Sequence, residues 1–195
     1  MLGGVVRGRL TTLRTPREDD LAFVNALTAD MRVRREGHIW DEPATPATWK
    51  DRLKSAATDQ GVVVWIVEAE GRAVGVARIR AGQEDPRHAD LEELTIDPAV
   101  WGRGFGSDAA VALHRYLFDY LDKRACAVEL AADNARALRI AEKIGYAEFG
   151  RGHQVYFRDG AYADEVWLRF DRATWDERWG ATEREYAPFP EGIDL

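Results

Sequence analysis

Leu91-Glu92-Glu93-Leu94-Thr95-Ile96-Asp97-Pro98-Ala99-Val100-Trp101-Gly102-Arg103-Gly104-Phe105-Gly106-Ser107 is the stretch that decides the fold. An extended, partly apolar run reaches Asp97-Pro98, and three alternating glycines then lead into a helical pattern. That pattern predicts a helix over residues 108–122, with Ala109, Leu113, Leu117 and Leu121 four apart on one face. Strand, glycine turn and helix N-terminus together make an anion site. The first helical turn leaves backbone N–H groups without partners, and the helix dipole favours negative charge there. Glycine lets a phosphate approach the backbone closely, because no Cβ stands in the way.

Spacing separates the families that use such a turn. A kinase-type P-loop needs Gly-Lys-Ser/Thr, whereas Gly106 is followed by Ser107-Asp108. A dinucleotide fingerprint needs a glycine three residues beyond Gly104, where Ser107 stands. The first reading fails and the second is weak.

Length and composition bound the rest. At 195 residues without a composition break, the chain suits one compact domain over residues 9–179, between a leader (1–8) and a polar tail (180–195). No apolar run approaches the roughly 20 residues of a membrane span. Residues 1–14 lack the apolar stretch of a secretory signal, so the cytoplasm and no membrane partner are expected. A net charge of −7 argues against a nucleic-acid partner, since phosphate binding needs a positive face. The basic run Arg32-Val33-Arg34-Arg35 reads as a solvated face or as the lining of an anion pocket. One cysteine, Cys126, excludes an internal disulfide and a cysteine-cluster metal site, and no histidine pair has metal-ligand spacing, so no metal is expected.

Along the chain, residues 9–14 read as a strand. Thr15 is the expected cap of a helix running to about residue 27 or 30. Residues 37–46 read as loop and 47–58 as a helix. Strands over 62–68 and 73–80 form a hairpin, and the strand entering the glycine turn follows. Beyond the turn come a helix, a strand (125–131), a helix (133–143), two strands (149–157 and 162–170) and a short helix (172–179). This order predicts an α+β fold, layered α/β/α, with a mixed and mostly antiparallel central sheet flanked by helices.

Gly104 and Gly106 fit the pattern Gln/Arg-x-x-Gly-x-Gly/Ala, with Trp101 where Gln or Arg usually stands. Residues 128–137 and Glu142-Lys143-Ile144-Gly145-Tyr146 add an Asn opening a helix that ends in a Lys-hydrophobic-Gly-aromatic turn. Leu13-Arg14-Thr15-Pro16 and Arg158-Asp159-Gly160, with Trp175, complete four segments in order over residues 9–176. This set resembles the GNAT acyltransferase superfamily, in its RimJ/RimL-like branch. The resemblance implies a GNAT-type sheet splayed at an acyl-CoA site, with acetyl-CoA as co-substrate. By position, the backbone of Leu94, Thr95 and Ile96 would pair with the pantetheine amides. Trp101, Gly102, Arg103, Gly104, Phe105, Gly106 and Ser107 would hold the pyrophosphate, with Arg103 on a phosphate oxygen. Asn134 would bond the pantetheine arm. Dimerisation is common in that branch, which leaves a homodimer open.

The implied reaction is direct attack of a primary amine on the thioester in a ternary complex. The acceptor is a small-molecule amine or a protein N-terminus; net acidity favours a cationic one. Acetyl is the expected donor, and Arg32, Arg34 or Arg35 near the pocket would suit succinyl. A backbone N–H near residues 94–96 would meet the oxyanion. For the base, side-chain alternation puts Glu92 with Leu94 and Ile96, and Glu93 with Thr95 on the other face. Glu93 is preferred and Glu92 is second, with Asp90 and His88 behind; the alternative is that both glutamates are solvated charges. The superfamily's helix Tyr is missing, with Ile140 and Ala141 in its place. That departure keeps a second reading open, a CoA-binding regulatory module weak in catalysis.

Overall fold

The computed structural model describes residues 4–37, 45–58, 61–82 and 85–180. The loop residues His38 and Trp40, and the tail from 181 onward, lie outside the described residues. Strands β1 (Val6–Arg7) and β2 (Thr12–Arg14) precede helices α1 (Asp20–Ala29), α2 (Met31–Glu36) and α3 (Pro46–Thr58). Strands β3 (Val62–Ala69), β4 (Arg72–Ala81) and β5 (His88–Ile96) then run antiparallel to one another. A 3₁₀ turn (Pro98–Val100) leads to α4 (Phe105–Arg115), β6 (Ala125–Ala131) and α5 (Ala135–Ile144). Strands β7 (Ala147–Arg158) and β8 (Ala161–Asp171) and helix α6 (Arg172–Arg178) follow.

The sheet order is β1-β2-β3-β4-β5-β6-β8-β7, and β5–β6 is its parallel junction. This is the expected mixed, mostly antiparallel sheet and not the doubly wound sheet of a dinucleotide fold. Both faces are covered, which is why Val62-Val63-Val64-Trp65-Ile66-Val67 reads as a continuous apolar run. Val63, Trp65 and Val67 pack toward α4 with Leu113, Leu117 and Phe118. On the other face Ile66 meets Val24 and Trp49, and Val76 meets Leu27 and Val33 of α1 and α2.

Three local expectations are corrected. Thr15 caps nothing: α1 starts at Asp20, whose carboxylate accepts from Arg17 N at 2.6 Å and from both Arg14 terminal nitrogens at 2.8 and 2.9 Å. The Arg14 guanidinium holds this carboxyl below its usual range. The expected strand over 9–14 is shortened, because the backbone N–H groups of Arg9, Leu10 and Thr11 turn to the Asp108 carboxylate at 2.8–3.0 Å. This wrap ties the leader to α4 and leaves residues 6–7 free to add β1. Helix α4 begins three residues earlier than its apolar spacing suggests and ends in a π turn, Tyr116–Tyr120. The extra residue in that turn buries Tyr116, Leu117 and Phe118 together.

His114, in α4, is fully buried in this core. Its Nδ1 lies 2.7 Å from Ala110 O, a pure acceptor, so Nδ1 carries the proton and Nε2 accepts from Tyr146 Oη at 2.6 Å. Burial pushes its pKa from 6.5 down to about 4. The unfolded chain therefore binds one more proton between these values, and stability is lost as pH falls from 6.5 toward 4. Between pH 7 and pH 5 the wild type should lose about 2 kcal/mol more than His114→Gln in denaturant unfolding. Parallel losses in the two proteins would refute this role.

Candidate active site

The site begins with a fault in the sheet. Arg78 pairs with Glu93 but Ile79 pairs with Leu91, so Glu92 is an extra residue, a bulge on β5. Just upstream the β5–β6 ladder ends: His88–Asp90 pair with Ala125–Ala127, and β6 then follows β8. Beyond Asp90 one edge of β5 thus has no strand beside it. Asp97 N–H donates to Val74 O at 2.8 Å, so Thr95 and Glu93 turn their peptide groups to β4 as well. The peptides of Leu94 and Ile96 face the gap instead. Trp101 Nε1 donates to Ile96 O at 2.7 Å, which leaves both Leu94 peptide groups and the Ile96 N–H toward the cleft. The expected trio of backbone contacts therefore reduces to Leu94 and Ile96.

The gap opens into a cleft of about 610 Å³ that continues along the glycine turn. Gly102 and Gly104 adopt φ of 80° and 85°, in the left-handed region that favours glycine. A Cβ at Gly102 would meet nothing within 4 Å, and one at Gly104 only the Leu10 side chain at 3.5 Å. That open space is where an anion can reach the backbone. Gly104 is the N-cap of α4 and offers no side chain, and the first N–H to pair inside the helix is Asp108, to Gly104 O. The N–H groups of Phe105, Gly106 and Ser107 are left at the N-terminus. The residues present thus fit a diphosphate.

Charged side chains are placed differently from expectation. Arg103 leaves the turn: its guanidinium pairs with Glu70 and lies 4.9 Å from the Phe105 ring. Helix α5 instead brings Arg136, Arg139 and Lys143 to the cleft, which Arg34 of α2 and Arg78 of β4 also line. Asn134 is a cap and a latch, its Oδ1 accepting from Ala137 N at 3.0 Å and its Nδ2 donating to Glu36 O at 2.6 Å. Glu36 also pairs with Arg136, which stacks 3.7 Å from the Trp101 ring. The end of α2 is thereby fixed to the start of α5. Of the basic run in α2, Arg34 lines the cleft, whereas Arg32 pairs with Asp30 and Arg35 with Asp159.

The bulge also overturns the expected facing of Glu92, while Glu93 stays with Thr95 on the face away from Leu94 and Ile96. Register puts Arg78, Arg80, Asp90 and Glu93 on one face, the face of Val76, where α1 and α2 lie. Glu92 joins them, bonded to Arg78 at 2.8 Å and Arg80 at 2.6 Å. Two guanidinium partners occupy its oxygens, which makes it a brace across the bulge. Glu93 accepts from Thr95 Oγ1 at 3.2 Å and lines the cleft.

Glu129 on β6 is the residue missed from the sequence. It shares this face, opposite Trp167 and two positions from Ala127, the partner of Asp90. It lines the cleft without a hydrogen bond or ion pair among the described residues. Burial, then Glu165 and Asp90, raise its pKa. Burial likewise raises Asp90. The signal was present, since Glu129 interrupts an apolar strand within the Asn134 segment. Tyr146 is buried against His114, and burial pushes the Cys126 thiol up to about 12, so neither is exposed as acid or nucleophile. Trp49 and Trp65 are core, and Trp167 is half-buried on the cleft's face.

A splayed strand edge meeting a glycine turn at a helix N-terminus defines an acyl-CoA site of the GNAT class. The chain belongs to the acetyltransferase (GNAT) domain family, whose model matches residues 10–147. It is an acyl-CoA-dependent N-acetyltransferase with acetyl-CoA as co-substrate. It is 24% identical to the spermidine N(1)-acetyltransferase of Escherichia coli (strain K12) over 155 residues, 79% of this chain and 82% of that one. It is 29% identical to the N-alpha-acetyltransferase RimI of Mycobacterium tuberculosis over 126 residues, 64% of this chain and 75% of that one. The crystal structure of spermidine N-acetyltransferase from Vibrio cholerae, in complex with CoA and spermine, shares the fold. Its TM-score is 0.77 at 20% identity, covering 85% of this chain and 98% of that one.

Gly104→Val should weaken CoA binding at least tenfold in calorimetric titration, because a branched residue is strained at φ 85° and fills the open space. Unaltered binding would reject the glycine turn as the diphosphate site.

Proposed function

We propose that the chain transfers an acetyl group from acetyl-CoA to the primary amine of a small cationic acceptor, of which a polyamine is the leading example. The observation that carries this reading is Glu129, an unpartnered, partly desolvated carboxylate in the cleft on the face of Asp90, Glu93 and Glu165. A face of this charge favours an ammonium ion, and the spermidine acetyltransferase relatives support a polyamine. The RimI likeness makes a protein N-terminus the second acceptor class to test. The four motif segments support membership of the RimJ/RimL-like branch.

Acetyl-CoA supplies the activated acetyl thioester. An alkyl ammonium with a pKa of roughly 10 must lose a proton before it can attack. Glu129 takes that proton, since an unpaired carboxylate with a raised pKa is a better base than Glu92, whose oxygens are held by two arginines. Glu93 stands on the same face and orients the amine. The Leu94 N–H donates to the carbonyl oxygen as charge develops there. The departing thiol has a pKa near ~8.5, so it needs little help from an acid near neutral pH, consistent with a chain lacking the usual helix Tyr. Cys126 is buried and protonated, which favours direct attack over an acyl-enzyme. Arg34 would meet the carboxylate of a succinyl donor, which makes succinyl-CoA the second donor to test.

Thiol release from acetyl-CoA should be supported by spermidine-like amines, and Glu129→Gln should lower kcat/KM by about 100-fold or more. Wild-type kcat/KM should rise with pH through a value above the ordinary carboxylate range, a limb that Glu129→Gln should lose. Unchanged turnover in Glu129→Gln, with an equivalent loss in Glu93→Gln, would transfer the base role to Glu93.

A further inference from the structure

Glu165 on β8 is a buried carboxylate, 8% exposed, that stands outside the lining of the cleft and has no part in the reaction written above. Its Oε2 accepts from Trp167 Nε1 at 2.7 Å, and its Oε1 accepts from the Tyr156 hydroxyl. Both donors are placed by irregularities of β7. The Trp167 ring lies against Gly150, where a Cβ would stand 2.4 Å from Trp167 Cε3. Tyr156 arrives through a break in register: Gly152 pairs with Glu165 and Tyr156 with Ala163, so four steps of β7 span two of β8. Within that bulge Gln154 takes a φ of 54°, and its N–H donates to Asp164 Oδ1 at 3.0 Å.

The carboxylate so fixed shares a face with Glu129. Glu129 pairs with Trp167 and Ala131 with Glu165, so the two glutamates are diagonal neighbours across β6 and β8, about 7–8 Å apart at the backbone. Asp90 and Glu93 of β5 stand on the same face, with Arg78 and Arg80 of β4 closed on Glu92 and Arg169 of β8 closed on Asp171. Helix α2 adds Arg34 at the cleft wall. Burial raises the Glu129 pKa first, and the Glu165 charge raises it next, ahead of Asp90.

We propose that Glu165 is a positioning residue for the reaction: held by Tyr156 and Trp167, it keeps a second negative charge beside Glu129 and so sets the pH above which the amine is deprotonated. This rests on the reading of Glu129 as the base. Glu165 touches no reacting atom and acts through Glu129, its field passing through protein rather than water. Without that charge the Glu129 anion forms more easily, so activity persists to lower pH.

The test is the pH profile of kcat/KM for thiol release from acetyl-CoA, with spermidine as acceptor, in the wild type, E165Q, Y156F and E129Q. Glutamine keeps the shape and both bonds of Glu165: its carbonyl accepts from Trp167, and its amide donates to the Tyr156 hydroxyl, which then accepts. The acidic limb of E165Q should move down by about 0.5–1 pH unit. Y156F loses one bond but keeps the charge, so its limb should stay at or above the wild-type position. A limb unmoved in E165Q, or moved down in both variants, overturns the proposal. A limb that persists unchanged in E129Q would instead remove the base on which it rests.

Discussion

The structure depends on one interrupted hydrogen-bond ladder. Strand β5 is paired with β4 from Ala89 to Ile96 apart from the bulged Glu92, but it loses β6 after Asp90. The resulting open edge lines the cleft. A buried peptide group without a partner costs about 1–3 kcal/mol, so such an edge persists only where other contacts hold the strands apart. Three are visible. The Arg78–Glu92–Arg80 cluster pins the bulge, Trp101 occupies the Ile96 carbonyl, and α4 and α5 pack beneath both strands with Leu94, Ile96 and Ile140. What remains open is the Leu94 peptide and the Ile96 N–H, which is where a ligand with amide groups can complete the ladder.

Side chains from three elements tie the two ends of the cleft together. Helix α2 lies over the face of Val76, and its last residue is fixed to α5 by Asn134 and Arg136. Arg136 in turn stacks on Trp101 at the entrance of the glycine turn. Charge is unevenly distributed around the cleft. Asp90, Glu93, Glu129 and Glu165 from β5, β6 and β8 share one face with Arg78 and Arg80, whereas Arg136, Arg139 and Lys143 stand along α5. The net charge of −7 conceals this division.

Much of this was legible in the sequence. The glycine turn, the order of elements and the mixed sheet follow from apolar period, turn residues and spacing, all of which act locally. Where a side chain stands elsewhere than local pattern suggests, contacts distant in sequence are the usual cause. Alternation assigned Glu92 to the core face, and a one-residue bulge, invisible to any period, reversed it. Arg103 stands inside the phosphate motif, yet Glu70, from the β3–β4 turn, holds its guanidinium. Thr15 looked like a cap, but Asp20 is fixed by Arg14 and sets the start of α1 further on. Asn134 caps its own helix and bonds α2, contacts of which only the cap can be read from the sequence. Glu129 needed no long-range knowledge; a lone carboxylate in an apolar strand beside the Asn134 motif was itself the signal.

The central claim is that one ligand spans two places: the open edge of β5 and the glycine turn. Amide hydrogen exchange of the full chain, with and without saturating CoA, tests this directly. Slowed exchange is expected at Leu94 and Ile96 and, in the same titration, at the N–H groups of Phe105, Gly106 and Ser107. Protection at only one of the two places, or protection confined to other strands, would contradict the account.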